Sequence, residues 1–280
     1  MWNQIKTIIL LGALTGLLIG VGGMIGGRQG LLIGLIFAGG MNFVMYWFSD
    51  KMVLAMYGAK EAKKSEYPEL HKIVEEVAKL SHLPKPKVYV LPTAAPNAFA
   101  TGRNPEHAAV AATEGIMQLL THDELKGVIA HEMGHIKNRD ILVTTIAATI
   151  AGVISYLAHM AQFAAIFGGN NRDDRGNMMG IIVLAILTPI IAMILQLAIS
   201  RAREYLADET GARTIKNPKA LANALKKLEI GAKHHPMRMG SPATSSMFIV
   251  NPFSAHGLVA LLSTHPPMAE RIKRLNEMNI

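Results

Sequence analysis

Residues 131–135 read His131-Glu132-Met133-Gly134-His135, and this pentapeptide predicts a metal-binding helix. Two histidines four residues apart lie on one face of an α-helix, where their imidazoles can bind one tetrahedral Zn²⁺. Glu132 points away from that face and cannot be a third ligand, but it can take a proton from a water at the metal's open position. The alternative is a surface helix that carries two histidines by chance, and the three fixed positions disfavour it.

The residues around the pentapeptide support a helix. Thr121 is a suitable N-cap, and Asp123 and Glu124 place negative charge in the first turn. An apolar stripe with helical spacing follows, formed by Leu125, Val128, Ile129 and Ile136.

Four long runs without charged residues flank this helix. They cover residues 7–27, 29–49, 141–171 and 176–200. Each exceeds the roughly 20 residues that a helix needs to cross a bilayer. A soluble enzyme with long buried helices is the alternative, but four runs in two closely spaced pairs disfavour it. We therefore expect an integral membrane protein with up to four transmembrane helices in two hairpins.

The distribution of basic residues predicts the orientation. Of the 28 Lys and Arg residues, only Arg28, Arg172 and Arg175 lie in the two hairpin loops, and the other 25 lie on the opposite side. The positive-inside rule then places the soluble mass in the cytoplasm. This bias and anionic lipid headgroups explain the net charge of +8. Nucleic-acid binding is not expected, because no basic stripe with interleaved aromatics occurs.

The absence of cysteine fits a reducing compartment. It also excludes disulfides and thiolate metal ligands.

The uncharged runs divide the chain into four parts. These are an N-terminal transmembrane hairpin (1–49), a first half of the catalytic domain with the zinc helix (50–140), a second hydrophobic hairpin (141–200) and a second half of the catalytic domain (201–280). The fold class expected is α+β and mainly α-helical, with a zincin-like catalytic domain that carries a small β-sheet.

Local patterns predict the elements of that domain. Alternation and turn residues indicate three short strands over residues 87–91, 97–101 and 108–112. Pro96 suggests that the second of them is an exposed edge strand. Apolar spacing predicts further helices over residues 69–80, 217–230 and 268–280, and residues 231–257 read as a long loop.

A catalytic zinc ion usually has three protein ligands and one water, so one ligand must come from outside the pentapeptide. Glu204 and Asp208 follow the fourth run directly, on one face of a continuing helix. Glu204 is our candidate for the third ligand, and Asp208 is placed to accept a hydrogen bond from the far nitrogen of a ligating histidine. Spacing alone leaves open an ion pair of Glu204 with Arg201 or Arg203. It also leaves open rival ligands, namely Glu209, His234, His235, His256 and His265.

His265 precedes two prolines and the last predicted helix. It is either a structural histidine near the start of that helix or a donor to a developing oxyanion. The residues alone favour the structural role.

Four motifs follow one another in a fixed order along the chain. They are residues 131–140 (HEMGHIKNRD), 203–208 (REYLAD), 263–267 (STHPP) and 270–272 (ERI). Together with the hydrophobic hairpins they resemble the HtpX membrane zinc metalloproteases, which are relatives of the CaaX-prenyl endopeptidases. The resemblance covers residues 1–280. The ordered combination is highly specific, whereas the pentapeptide alone is moderately so.

The resemblance implies a function and a role for particular residues. It implies endoproteolysis of misfolded or damaged membrane proteins, as stress response and quality control at the prokaryotic plasma membrane. By position it implies one Zn²⁺ per chain on His131, His135 and Glu204, with Glu132 as general base. Asp208 would support the ligands, and His265 would assist the oxyanion. The substrate would bind along an edge strand at Asn97, Ala98, Phe99 and Ala100.

Two other classes compete with a protease. A zinc-binding membrane scaffold or chaperone would need the same ligands but not Glu132, so the intact glutamate disfavours it. A transporter or channel is expected to carry ionisable groups at mid-membrane. The predicted spans hold only His159, which makes that class a weak alternative.

Overall fold

The structure, a computed structural model, describes residues 2–142, 144–146, 201–237, 247–251 and 266–280. Most of the predicted second hairpin therefore lies outside the described residues, and so do His256 and His265. The described part is mainly helical, with one small mixed sheet.

The N-terminal hydrophobic segment is a helical hairpin. Helix α1 runs from Trp2 to Met56 and is interrupted at Gly27, whose φ of +56° and ψ of −136° favour glycine. The side-chain amide of Asn42 donates to Thr15 Oγ1 at 2.7 Å, whereas an unbroken helix would hold these residues about 40 Å apart. This contact confirms the expected helical hairpin, with Arg28 in its loop.

The second arm of this hairpin, Gly27–Met56, has the composition of a membrane helix. Among the residues that the structure describes, it is the one helix long and apolar enough to cross a membrane. Its buried face includes the small residues Gly30, Gly34 and Ala38, which let two helices approach closely. Its outward face exposes large apolar side chains: Leu31, Leu32, Ile33, Leu35, Ile36, Phe37, Phe43, Val44, Tyr46, Trp47 and Phe48. An apolar face of this size marks contact with lipid or with another protein.

The sheet has four strands in the order β1-β2-β4-β3. They are β1 (Lys60–Glu61), β2 (Lys87–Leu91), β3 (Ala98–Gly102) and β4 (Ala108–Thr113). Strand β4 pairs in parallel with β2 and antiparallel with β3, and β1 is antiparallel to β2. The three predicted strands are present with ends shifted by at most one residue. Strand β1 was not predicted, because two residues are too few to show alternation.

The remaining helices are α2 (Pro68–Ser81), α3 (Glu114–Leu119), α4 (His122–Lys137), α5 (Arg201–Ile215), α6 (Pro218–His234) and α7 (Met268–Asn276). The Thr121 side chain accepts from the backbone N–H of Glu124 and the Glu124 side chain accepts from that of Thr121, which forms a capping box at the start of α4. The Asn217 side chain caps α6 by accepting from the backbone N–H of Ala220. The predicted loop over residues 231–257 starts too early, because α6 continues to His234.

Helix α4 is buried on almost every side. Helices α2, α5 and α6 and strand β3 pack against it. Helix α5 approaches most closely through glycines: a Cβ on Gly211 would lie 2.7 Å from the backbone at His131, and a Cβ on Gly134 would lie 2.9 Å from the carbonyl oxygen of Ala207. This backbone contact brings the start of α5 beside the two histidines of α4.

Candidate active site

The two histidines of α4 meet Glu204 from the first turn of α5. Nε2 of His131 lies 3.2 Å from Nε2 of His135. The Glu204 carboxylate is 3.8 Å from the former nitrogen and 3.6 Å from the latter. One ligating atom from each residue lies within 4.8 Å of the others, so the group has the dimensions to hold a metal ion.

The described rivals for the third ligand lie elsewhere. Glu209 is exposed and pairs with Arg213 at 2.9 Å. His234 and His235, at the end of α6, are exposed and line a separate cavity with Tyr57 and Leu91.

A carboxylate contacts the Nδ1 atom of each histidine and so orients its ring. Nδ1 of His131 lies 2.8 Å from Asp208 Oδ1, and Nδ1 of His135 lies 3.1 Å from Asp140 Oδ2. Because each Nδ1–H donates to its carboxylate, the two Nε2 lone pairs face each other. Two facing lone pairs require a proton or a metal cation between them. Two imidazole nitrogens and a carboxylate oxygen are also a donor set that suits zinc.

The carboxylates around the two histidines favour a positive charge between their Nε2 atoms. Burial lowers the pKa of His135, but the carboxylates of Asp140, Glu204 and Glu132 outweigh it and raise that pKa to about 10. Burial lowers the pKa of His131 despite the opposing effect of Asp208. A bound cation would satisfy the same set of carboxylates.

Arg271 is a further residue of the site, for which the sequence predicts no role. It is fully buried, and its guanidinium donates from Nε and Nη2 to the two oxygens of Asp208 at 2.8 and 2.7 Å. Burial opposes ionisation of Asp208, but Arg271 outweighs it and lowers the pKa of the carboxyl. Nη1 also lies 3.6 Å from Glu204 Oε2. The spacing of the sequence indicates its burial: Arg271 lies four residues before Leu275, so both are on the buried face of α7.

Asp140 was likewise unassigned. Arg139, in the left-handed region with φ of +56°, ends the helical path after α4 and turns the chain back. The backbone N–H of Asp140 then donates to the carbonyl of His135 at 3.2 Å. This hydrogen bond brings the Asp140 carboxylate next to the imidazole of His135. The position, five residues after His135, follows from this turn rather than from helical spacing.

Glu132 faces the same site from α4. Its side chain is almost fully buried, and the backbone N–H of Ala100 in β3 donates to its carboxylate. Burial is the main cause that raises its pKa to about 7. Glu132, His135 and Glu204 line one small cavity of about 10 Å³ together with Ala100. The predicted base and two of the three predicted ligands therefore line the same cavity.

Strand β3 is an edge strand of the sheet, as predicted, but it is not exposed, because all five of its residues are buried. Asn97 and Thr113 exchange hydrogen bonds, so in an antiparallel pair Ala98 and Ala100 turn their polar backbone groups away from β4. The N–H of Ile249 donates to the carbonyl of Ala98 at 3.2 Å. Residues 247–251 therefore cover the outer edge of β3 beside the site.

The four predicted substrate-binding residues fall into two pairs. Ala98 and Ala100 present the outer edge of β3. Asn97 instead holds the covering segment, since its side-chain amide donates to the carbonyl of Val250 at 2.7 Å. Phe99 packs edge-on against Phe248 of that segment, with ring centroids 5.2 Å apart. His265 lies outside the described residues.

A buried glutamate beside two metal-ready histidines on one helix is the arrangement of a metallopeptidase. Comparison with known proteins gives the same class, because residues 64–279 match peptidase family M48.

Curated relatives narrow the assignment. Three relatives with the name Protease HtpX homolog illustrate the match. That of Syntrophobacter fumaroxidans is 53% identical over 282 residues, which covers 99% of this chain and 100% of the relative. That of Aquifex aeolicus is 56% identical, covering 94% and 89%, and that of Pyrococcus furiosus is 52% identical, covering 98% and 95%. The chain belongs to the HtpX-type proteases of peptidase family M48 and is a metalloendopeptidase, which confirms the resemblance carried by its motifs.

A solved structure shares the fold. The crystal structure of S. mikatae Ste24p matches with a TM-score of 0.52 at 20% sequence identity. The match covers 98% of this chain and 65% of the Ste24p chain. At this identity the likeness concerns the fold alone.

Proposed function

We propose that the chain is a zinc-dependent endopeptidase of the prokaryotic plasma membrane that degrades misfolded or damaged membrane proteins in envelope quality control. One observation carries the proposal: Glu132 lines one cavity beside the edge strand β3 together with His135 and Glu204, which belong to the convergent group that His131 completes. A scaffold or chaperone without turnover is not favoured, because it has no use for a buried glutamate in that position.

In the proposed mechanism, His131, His135 and Glu204 hold one Zn²⁺, and Asp208, Asp140 and Arg271 orient these ligands. When bound, Zn²⁺ supplies Lewis acidity and lowers the pKa of water toward ~7. Glu132 takes the proton of the attacking water and passes it to the leaving amine. General acid–base catalysis of this kind contributes about 10²–10⁴-fold.

His265 is proposed to stabilise the developing oxyanion. The resemblance of residues 263–267 to the HtpX motif supports this role.

The substrate is proposed to bind as an extended strand along β3, with Ala98 and Ala100 supplying backbone hydrogen bonds. These groups already have partners, since Ile249 donates to Ala98 and Ala100 donates to Glu132. A substrate strand therefore has to displace residues 247–251 from the edge. Asn97 and Phe99, which hold that segment, control access to the edge in this proposal.

Removal of the metal should abolish cleavage. We expect protein purified in detergent to lose hydrolysis of casein after dialysis against a chelator and to regain it with one equivalent of Zn²⁺. Mg²⁺ should not restore it, because Mg²⁺ prefers oxygen ligands in octahedral geometry to imidazole nitrogens. Elemental analysis alongside a gel assay measures both quantities. Full cleavage by protein proven free of metal would contradict the proposal.

The proposed topology places residues 1–49 and 141–200 in the bilayer as two hairpins and the halves 50–140 and 201–280 in the cytoplasm. The chain has no cysteine, so an introduced cysteine is the single thiol. A cysteine at Gln29, beside the turn of the first hairpin, should react with an impermeant reagent added outside intact cells. One at Lys233, exposed on α6, should react only after lysis. The reverse pattern would overturn the orientation.

A further inference from the structure

Another cavity, of about 740 Å³, lies between the second arm of α1 and the sheet, and we refer to it as the interfacial cavity. Phe43, Trp47 and Phe48 of α1 form an aromatic wall. A cationic wall is formed by Lys51, Lys85, Lys87 and Arg103. None of these residues lines the catalytic cavity.

The aromatic wall continues the outward apolar face of the second arm. Trp47 is 42% exposed and Phe43 is 59% exposed, although both are large apolar side chains. The guanidinium of Arg103 lies 4.3 Å from the ring centre of Trp47, and Lys51 Nζ lies 5.3 Å from that of Phe48. Aromatic rings with cations over their faces are typical of the level where a membrane helix leaves the hydrocarbon and enters the headgroup region.

The charge of the cavity selects the ligand. Four cationic side chains line it against two acidic ones, Asp50 and Glu106, which leaves an excess of positive charge. Lys85 is partly neutralised by Glu75, at 3.3 Å. Lys51, Lys87 and Arg103 have no ion pair among the described contacts of the cavity, and against Asp50 and Glu106 they still leave a net excess of positive charge. A small soluble anion would not contact the aromatic wall. A zwitterionic headgroup carries no net charge and would leave the positive charge of the cavity unbalanced.

We propose that the interfacial cavity binds one anionic phospholipid, with its phosphate headgroup against Lys51, Lys87 and Arg103 and the upper part of its acyl chains against Phe43 and Trp47. This rests on the membrane placement of the second arm in the proposed function. The lipid would anchor the sheet to the cytoplasmic leaflet. Leu54, which lines the cavity, packs in the same cluster as Tyr57, Phe99 and Phe248, so the anchor lies next to the residues that cover β3.

The test measures lipid binding separately from proteolysis. Delipidated protein carrying Glu132→Gln, which needs no activity for this readout, is titrated with phosphatidylglycerol in detergent, and bound lipid is counted by native mass spectrometry. Lys51→Gln, Lys87→Gln and Arg103→Gln together should weaken the tightest binding at least about tenfold, since each basic side chain near a membrane contributes severalfold. A matched control removes three exposed cations elsewhere, through Lys64→Gln, Lys219→Gln and Lys226→Gln, and should change binding by less than about twofold.

Two further arms identify the ligand. Phosphatidylcholine should bind at least about tenfold more weakly than phosphatidylglycerol, and millimolar glycerol 3-phosphate should not displace the lipid. Equal loss of binding in both triple variants, equal binding of phosphatidylcholine, or displacement by glycerol 3-phosphate would each overturn the proposal. Failure of the triple variant to retain zinc would indicate misfolding. Lipid binding is then measured on the double variant Lys51→Gln with Lys87→Gln, in which only exposed side chains change. Lipid binding can succeed or fail whether or not casein is cleaved, so the two proposals are judged separately.

Discussion

Glu132→Gln is expected to retain one equivalent of zinc and to cleave casein about 10²–10⁴-fold more slowly than the unaltered protein. The amide keeps the shape of the carboxylate, and its oxygen can still accept the hydrogen bond from Ala100. It cannot accept the proton of the attacking water. The metal should stay because Glu132 is not among the three groups whose ligating atoms converge. A gel assay and elemental analysis on one preparation measure the two quantities.

Glu124→Gln provides the matched control for this variant. Glu124 lies on the same helix, and glutamine can replace it in the capping box with Thr121. The change removes the negative charge, but the N–H of Thr121 and the ammonium of Lys227 both donate to the same carboxylate oxygen, and an amide oxygen in its place can accept both hydrogen bonds. We expect near-normal cleavage from Glu124→Gln. Cleavage near the normal rate by Glu132→Gln as well would remove Glu132 from the mechanism.

Features that depend on neighbours in the sequence could be predicted before the fold was known. The N-cap at Thr121, the start of α6 close to residue 217 and the hairpin loop around Arg28 each involve residues within one or two turns of each other. Strand β2 was predicted with the bounds that the structure gives it. In each case the local chemistry of a turn, cap or alternating segment determines the conformation without help from distant parts of the chain.

Features that depend on distant contacts could not be predicted in the same way. Arg271 reaches the site across 140 positions of sequence from His131, and only the packing of α7 places it there. The covering of β3 by residues 247–251 arises from contacts with Asn97 and Ala98, about 150 positions earlier. Glu204 could be proposed because a third ligand was needed and a predicted span ended beside it. Its distance from the histidines follows from the glycine contact between α4 and α5.

Glu204→Ala is expected to have the largest effect on metal content. Two histidines on one helix provide only two of the three protein ligands that a catalytic zinc needs, and the structure places Glu204 3.6–3.8 Å from both of their Nε2 atoms. The loss of a ligand should empty the site and abolish cleavage together. Asp208→Asn keeps all three ligands but weakens the support of His131, for which losses of about 10–100-fold in affinity or activity are typical.

Zinc content after dialysis should therefore fall in the order Glu132→Gln, Asp208→Asn, Glu204→Ala. Glu209→Ala is the control, because Glu209 lies on the same helix as Glu204 but is exposed and paired with Arg213. It should retain zinc like the unaltered protein. If Glu204→Ala instead retains a full equivalent as tightly as the control, the third ligand lies outside the group formed by α4 and α5. His265, which is proposed to assist the oxyanion, would then be the first residue to replace.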